Sequence, residues 1–177
     1  MPVYPPDLEG VIAFHRHLCP GVLIGYRASL IGLRELHADP AQDEELTAVV
    51  YTDSCAADAV QVLTGCTFGK GNLKFLDVGK HVFLFSKRGE EASIRVALRY
   101  AVLQNAGSRE EAVELLLEGP DEELYKVERV KAGVPSPAMI YPTIQCAFCG
   151  EGVMEPRARL REGKYACLEC AEVTRCV

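Results

Sequence analysis

The feature that most constrains this chain is the grouping of its cysteines near the C-terminal end. Of its eight cysteines, five lie between Cys146 and Cys176. Four of these form two Cys-x-x-Cys pairs, Cys146 with Cys149 and Cys167 with Cys170, with seventeen residues between the pairs. Each pair can present two thiolates from one tight turn, and four thiolates complete the tetrahedral shell of a structural zinc. Free or redox-active thiols are the alternative interpretation.

The residues around the two pairs predict a small zinc finger of treble-clef or ribbon-like form. Gly150 suits a knuckle after the first pair, Gly163 suits a hairpin turn, and the second pair can begin a short helix. A segment of about thirty residues buries too little apolar surface to fold alone, so metal binding should supply its folding energy. Cys176 has no place in this shell and is interpreted as a surface thiol.

Three arginines of the finger, Arg157, Arg159 and Arg161, alternate along the sequence. In a strand they would lie on one face and form a basic row for phosphates or for an acidic partner. The chain as a whole carries a net charge of −6, which argues against duplex nucleic acid as its main partner.

The length of 177 residues and the 49% hydrophobic content predict one full globular domain with a small appendage. We expect the main domain over residues 1–133, a proline-marked linker over 134–145, and the zinc finger over 146–177. No signal-peptide pattern or long apolar run is visible, so we expect a cytoplasmic protein that does not enter a membrane. In that compartment thiols are kept reduced, which again favours metal ligation.

The main domain is predicted to be α+β, with a mainly antiparallel sheet packed by helices. Apolar periodicity predicts a short helix over Leu8–Phe14 and a strong amphipathic helix after Pro20. A buried strand is expected over Leu46–Tyr51, followed by a helix from Ala56 that Asp53 or Ser54 caps.

The second half of the main domain contains further strand and helix signals. Three apolar runs, over 73–76, 82–85 and 94–98, are separated by Gly79 and Gly89 and predict a three-stranded meander. Ser108 followed by Glu111 forms a capping box that begins a helix ending near Glu118.

The segment from Phe14 to Gly21 places His15, His17 and Cys19 at alternate positions, just before the helix that begins at Pro20. In an extended segment these side chains point the same way and can converge on one metal ion. Cys55 begins the next helix in the same manner, so the two helix starts are expected to be neighbours. Surface or capping histidines and a small buried cysteine are the alternative interpretation.

Three further residues are candidates for the same cleft. Asp58 can accept the second hydrogen bond of a ligating histidine or act as a general base, or it is a solvated helix charge. The loop from Thr64 to Asn72 either brings Cys66 and Lys70 to the cleft or is a plain helix end that turns into the next strand.

These motifs together resemble the FmdE family, which is named after formylmethanofuran dehydrogenase. The resemblance rests on the segments over 14–21, 25–28, 55–61, 64–73 and 77–80, together with the four-cysteine finger. It implies an α+β domain that forms a homodimer, with a His/Cys metal site in a cleft near the dimer interface. Arg16 departs from the small residue, often glycine, that is typical of its position.

Carried over by residue, the resemblance implies a metal site made by His15, His17, Cys19 and Cys55, with zinc as the default metal. It implies that Asp58, Gln61, Cys66 and Lys70 line the cleft. The family name derives from an enzyme of one-carbon metabolism and does not by itself assign a reaction.

Two classes of function follow. The first is a metal-dependent enzyme, such as an oxidoreductase, or an accessory protein of one in redox or one-carbon metabolism, acting on a small molecule or with a partner enzyme. The second is a non-catalytic zinc-containing scaffold or regulator that binds a protein, or less plausibly a nucleic acid. Catalysis predicts three protein ligands and an open position at the His/Cys site, whereas a scaffold predicts four protein ligands.

Overall fold

The computed structural model of the protein describes residues 4–131 and 134–171. The chain forms two compact units, Met1–Ala138 and Met139–Val177. Among the helices in the described ranges, none is long and apolar enough to cross a bilayer.

The first unit is α+β, as the sequence predicts. Its described helices are α1 (Pro6–His15), α2 (Pro20–Leu36), α3 (Ala56–Thr64), α4 (Tyr100–Asn105), α5 (Arg109–Glu118) and α6 (Asp121–Leu124). Its described strands are β1 (Leu46–Val50), β2 (Leu73–Phe75), β3 (Val82–Lys87), β4 (Ser93–Leu98) and β5 (Tyr125–Val130).

The five strands form one sheet in the order β2-β1-β3-β4-β5. Strand β2 runs parallel to β1, and all other neighbours are antiparallel. The predicted three-stranded meander is therefore wrong, because β1 lies between β2 and β3. The runs of apolar residues identify strands but not their neighbours, and here α3 provides the crossover that a parallel pair requires.

Helix α2 packs on one face of the sheet and also against α3. Gly32 lies directly against the ring of Phe85, and Gly25 lies directly against the backbone of Ala56, so a β-carbon at either glycine would overlap its neighbour. The close crossing at Gly25 brings the first turn of α2 beside the first turn of α3. The expected proximity of the two helix starts is thus confirmed.

The start of α3 differs from the prediction that Asp53 or Ser54 caps it. Cys55 is the N-cap residue and makes no side-chain capping bond. The Thr52 hydroxyl accepts the Ser54 N–H at 3.2 Å. This tightens the turn, so that Ser54 contributes only its carbonyl, which accepts the Ala57 N–H at 2.9 Å.

The capping box of α5 is confirmed with one shift of partner. The Ser108 hydroxyl accepts the Glu111 N–H at 3.1 Å. The Glu111 carboxylate accepts the N–H of Gly107, the residue before the cap, at 2.8 Å.

The second unit consists of two short hairpins and a terminal turn of helix. Its described elements are β6 (Thr143–Gln145), β7 (Gly152–Met154), a 3-10 turn (Glu155–Arg157), β8 (Arg159–Arg161), β9 (Lys164–Ala166) and α7 (Leu168–Ala171). Strand β6 lies within the range predicted to be a linker. Glu162 and Gly163 connect β8 to β9 with φ angles of 52° and 72°, as a type I′ hairpin turn requires.

The order of knuckle, hairpin and short helix agrees with the treble-clef alternative for the zinc finger. Arg157 lies in the 3-10 turn, not in a strand, so the predicted single row of three arginines is wrong. Cys176 lies outside the described residues.

Candidate metal sites

The four cysteines of the second unit converge. Their sulfur atoms all lie within 4.8 Å of one another, and the Cys149 and Cys167 sulfurs are 3.9 Å apart. The first pair lies on the turn between β6 and β7, where Gly150 adopts a φ of 80°. The second pair spans the start of α7. This cluster has the composition and geometry of a closed four-thiolate metal site.

Backbone amides point toward the sulfur of Cys146. The amides of Cys149, Cys167 and Phe148 lower the pKa of this thiol to about 6, and the Cys167 N–H lies 3.3 Å from the sulfur. Hydrogen bonds of this kind stabilise the thiolate, which is the form that ligates a metal.

A second cluster forms where α1 ends and α2 begins. His15 is the last residue of α1, and Cys19 is the N-cap residue of α2. The chain turns sharply between them at Arg16, whose φ is 75°. This left-handed conformation strains any residue with a side chain, which explains why glycine suits this position and identifies the departure at Arg16 as a local strain.

The turn brings three potential ligands together. One ligand atom each from His15, His17 and Cys19 lies within 4.8 Å of the others. The Cys19 sulfur is 4.0 Å from His15 Nε2, and the two imidazole rings are 4.5 Å apart, centroid to centroid. Cys19 is buried, His15 is half-buried and His17 is exposed. The cluster therefore has one side in the protein and one side open to solvent.

Asp58 of α3 orients the His15 ring. Its Oδ2 lies 2.7 Å from His15 Nδ1. A carboxylate at this distance holds a proton on Nδ1, which leaves the lone pair of Nε2 directed toward the Cys19 side. The first of the two roles predicted for Asp58, acceptor of a ligand's second hydrogen bond, agrees with this geometry.

Cys55 lies next to this cluster but outside the set of three. Burial and a hydrogen bond with the Cys19 thiol raise the pKa of the Cys55 thiol. Gly21 separates the two cysteines, since a β-carbon there would lie 3.1 Å from Cys55 Cβ and 3.8 Å from the Cys19 sulfur. A larger residue at position 21 would crowd both thiols.

Cys66 and Lys70 lie at the other end of α3, which spans nine residues or about 13 Å. Cys66 is fully buried, and burial raises the pKa of its thiol to about 11. Lys70 Nζ donates to the carbonyl oxygens of Ala41 and Gln42 at 2.9 Å and 3.3 Å. The structure separates both residues from the His/Cys cluster, and their loop is a helix end that turns into β2.

A cavity of about 190 Å³ adjoins the cluster on the Asp58 side. Its polar lining comes from Thr52, Asp53, Asp58 and Gln61, and two phenyl rings, Phe68 and Phe75, contribute much of its apolar lining. Gln61 was expected here from the family resemblance. The phenylalanines were not, because Phe75 occurs in a strand signal and Phe68 in a polar loop, and only the isolation of Phe68 among polar residues hints at such a role.

Comparison with known proteins agrees with these features. The family model described as "FmdE, Molybdenum formylmethanofuran dehydrogenase operon" matches residues 14–128. A probable S-adenosyl-L-methionine-binding protein from Archaeoglobus fulgidus is 32% identical, with an alignment that covers 89% of this chain and 50% of that protein. The chain thus spans about half the length of this curated relative.

A solved structure shares the fold. The crystal structure of a tungsten formylmethanofuran dehydrogenase FmdE-like protein from Syntrophus aciditrophicus matches with a TM-score of 0.72 and 25% identity. The match covers 96% of this chain and 92% of that chain. With residues 14–128 matching the family model and nearly the whole chain matching this fold, the protein belongs to the FmdE family.

Proposed function

We propose that this chain is a metal-dependent enzyme, or an accessory protein of one, that holds a divalent ion between His15, His17 and Cys19. The observation that carries the proposal is the convergence of these three ligand atoms within 4.8 Å, in a site that is exposed on the His17 side. Three protein ligands with an open fourth position are typical of catalytic metal sites, whereas structural sites are closed by four.

The donor set fits a borderline-soft divalent ion, with zinc as the default. Metal–ligand bonds of 2.0–2.3 Å in a tetrahedral site place donor atoms roughly 3.5 Å apart. The 4.0 Å between Cys19 sulfur and His15 Nε2 is within a small side-chain adjustment of that value. The Val22 N–H lies 3.4 Å from the Cys19 sulfur and favours its thiolate form.

A bound ion would supply Lewis-acid chemistry to a group at its open position. The residues of this chain would do the rest. Asp58 orients His15 through the 2.7 Å hydrogen bond, and the adjoining cavity offers the Thr52 hydroxyl and the Gln61 amide to a small substrate. The family description and the name of the crystallised relative both connect such proteins with formylmethanofuran dehydrogenase, which favours redox or one-carbon metabolism.

We propose that the four-cysteine cluster holds a structural zinc. Four thiolates form a closed tetrahedral shell with no position for substrate. The finger does not support a nucleic-acid role, because Arg161 stacks on the Phe148 ring at 4.8 Å and donates to the Cys170 carbonyl at 2.7 Å. That arginine stabilises the finger itself.

We propose a homodimer that buries the edge of the sheet beside the cavity. Four apolar side chains around edge strand β2 are exposed, namely Phe68, Phe75, Leu76 and Val78. An apolar cluster of this kind marks an interaction surface. Light scattering should give twice the chain mass for the native protein and the monomer mass for Leu76→Glu with Val78→Glu. A dimer that survives both changes would contradict this interface.

The second candidate function, a scaffold without catalysis, is favoured by the position of Cys55 next to Cys19. If Cys55 moves to become a fourth ligand, the site is closed and no substrate reaches the ion.

Cobalt substitution separates the two functions. Co²⁺ bound by His15, His17 and Cys19 should change its visible d–d spectrum when a small thiol or cyanide is added, because the added ligand occupies the open position. In Cys55→Ser the spectrum and its response should be unchanged. A spectrum that ignores added ligands in the native protein but responds in Cys55→Ser would show a closed four-ligand site and refute the enzymatic proposal.

A further inference from the structure

A second cavity lies on the sheet far from either cysteine cluster in sequence, and it has a different chemistry. It measures about 460 Å³ and is formed by the end of β3, by β4 and by α4. Its size is within the range typical of small-molecule sites.

The floor of this cavity is the face of the sheet opposite α2. Phe83, Phe85, Ile94 and Val96 point toward the helices and form the core. Because side chains alternate along a strand, Val82 and Ala97 point to the other face, where they are cross-strand partners and line the cavity. Leu98 and Leu103 extend this apolar floor.

The rim of the cavity is cationic. Lys80, Arg95 and Arg99 all line it. Arg95 is paired with Glu128 at 3.0 Å, whereas Arg99 donates from Nε to the neutral carbonyl of Glu122 at 3.1 Å. Within residues 4–131 and 134–171, neither Lys80 nor Arg99 forms an ion pair, so two positive charges at the rim are uncompensated. This local excess contrasts with the net charge of −6 on the whole chain.

His81 supplies a further polar group. Its ring lines the cavity, and its Nδ1 is buried without a hydrogen-bond partner among the described residues. Buried polar atoms in native proteins nearly always have a partner, so an unpaired ring nitrogen on a cavity wall indicates a missing one. Tyr100, which is 82% exposed, presents an aromatic ring at the mouth.

We propose that this cavity binds an amphipathic organic anion, whose apolar body lies on the floor of Val82, Ala97, Leu98 and Leu103 and whose anionic head lies between Lys80 and Arg99. An apolar floor alone would suit a neutral ligand, and exposed cations alone would suit inorganic anions. The combination selects a molecule with both parts, because the charged head gains charge-assisted hydrogen bonds while the body leaves water.

The probe for this site is 2-naphthoate, measured by isothermal titration calorimetry on the full chain. Ligands of this size reach dissociation constants of about 1 mM when they fill a matching pocket. We expect binding of that strength or tighter, at least about tenfold weaker binding of neutral 2-naphthalenemethanol, and weaker naphthoate binding at high salt.

Two variants and a matched control locate the binding. Lys80→Gln with Arg99→Gln removes the uncompensated charges and should weaken naphthoate at least about tenfold, and Leu103→Gln should weaken both probes. Lys74→Gln with Arg109→Gln removes the same two charge types from exposed positions elsewhere and should leave the affinity unchanged. Denaturation midpoints and metal content verify that each variant is folded.

Three results would overturn the proposal. Equal affinity for the acid and the alcohol would reduce the site to an apolar surface. Equal loss in the control pair would reduce it to general electrostatics. Absence of naphthoate binding, together with a change of oligomeric state in Leu103→Gln, would show that the cavity is filled by a second protein chain.

Discussion

Asp58 determines how His15 presents itself to a metal. The carboxylate and the imidazole are 2.7 Å apart, and the His15 and Asp58 side chains are 12% and 37% exposed, respectively. A hydrogen bond in this partly dry position fixes both the tautomer and the orientation of the ring. The sequence suggested this role because Asp58 lies one turn into the helix that Cys55 begins.

Replacing Asp58 by Asn should lower the metal affinity of the His/Cys site about 10- to 100-fold, because the amide orients the ring without its negative charge. Chelator competition on the purified protein measures this affinity. Asp53→Asn is the matched control, since Asp53 lines the same cavity and has no bond to the ring in the structure. Equal affinities for Asp58→Asn and the native protein would contradict the role of Asp58.

At the scale of elements, the site depends on how closely α2 approaches α3. Gly25 lies against the backbone of Ala56, and Gly21 lies against Cys55. These contacts place Cys19 and Cys55, one at the start of each helix, side by side. The sequence contains the two glycines, but an amphipathic pattern shows only which face of α2 is buried and not which helix it meets.

Gly25→Ala should lower the free energy of unfolding by about 1–3 kcal/mol, because the added methyl group has no space and the helices must separate. It should also weaken metal binding at the His/Cys site. Gly10→Ala in α1 is the control, since nothing lies within 4 Å of a β-carbon there, and alanine should raise stability by up to about 1 kcal/mol. Chemical denaturation checks both, and the account fails if the two variants change stability in the same direction.

The elements themselves were largely predictable, and their pairing was not. Residues 82–85 and 94–98 were correctly identified as strands, and Ser108 with Glu111 located the start of α5, because these signals are local. The position of β2 beside β1 depends on the crossover through α3, which leaves no local trace. The separation of Cys66 and Lys70 from the His/Cys cluster has the same cause, since the sequence shows that α3 connects them but not that its two ends serve different surroundings.

At the scale of the whole molecule, two compact units each contain one cysteine-bearing cluster. The second unit is small and exposes most of its residues, so its hydrophobic core contributes little and metal ligation should supply its stability. The first unit has a large buried core around α2 and the sheet and does not need a metal to fold.

Cys149→Ser should therefore unfold the second unit while the first stays folded. Limited proteolysis with mass mapping should show rapid cleavage after residue 138 and a resistant fragment that ends near there. His17→Ala changes an exposed ligand of the first unit and should leave the proteolysis pattern of the native protein. Protection of the second unit in Cys149→Ser would show that it folds without the four-cysteine shell.

The central claim, that the chain holds two separate metal ions, is tested most directly by elemental analysis of the native protein and three variants. The native protein should contain about two ions per chain, His17→Ala and Cys149→Ser should each retain about one, and the double variant should retain none. If the native protein contains one ion and His17→Ala does not change that content, then His15, His17 and Cys19 do not form a metal site and the proposed enzymatic function is refuted.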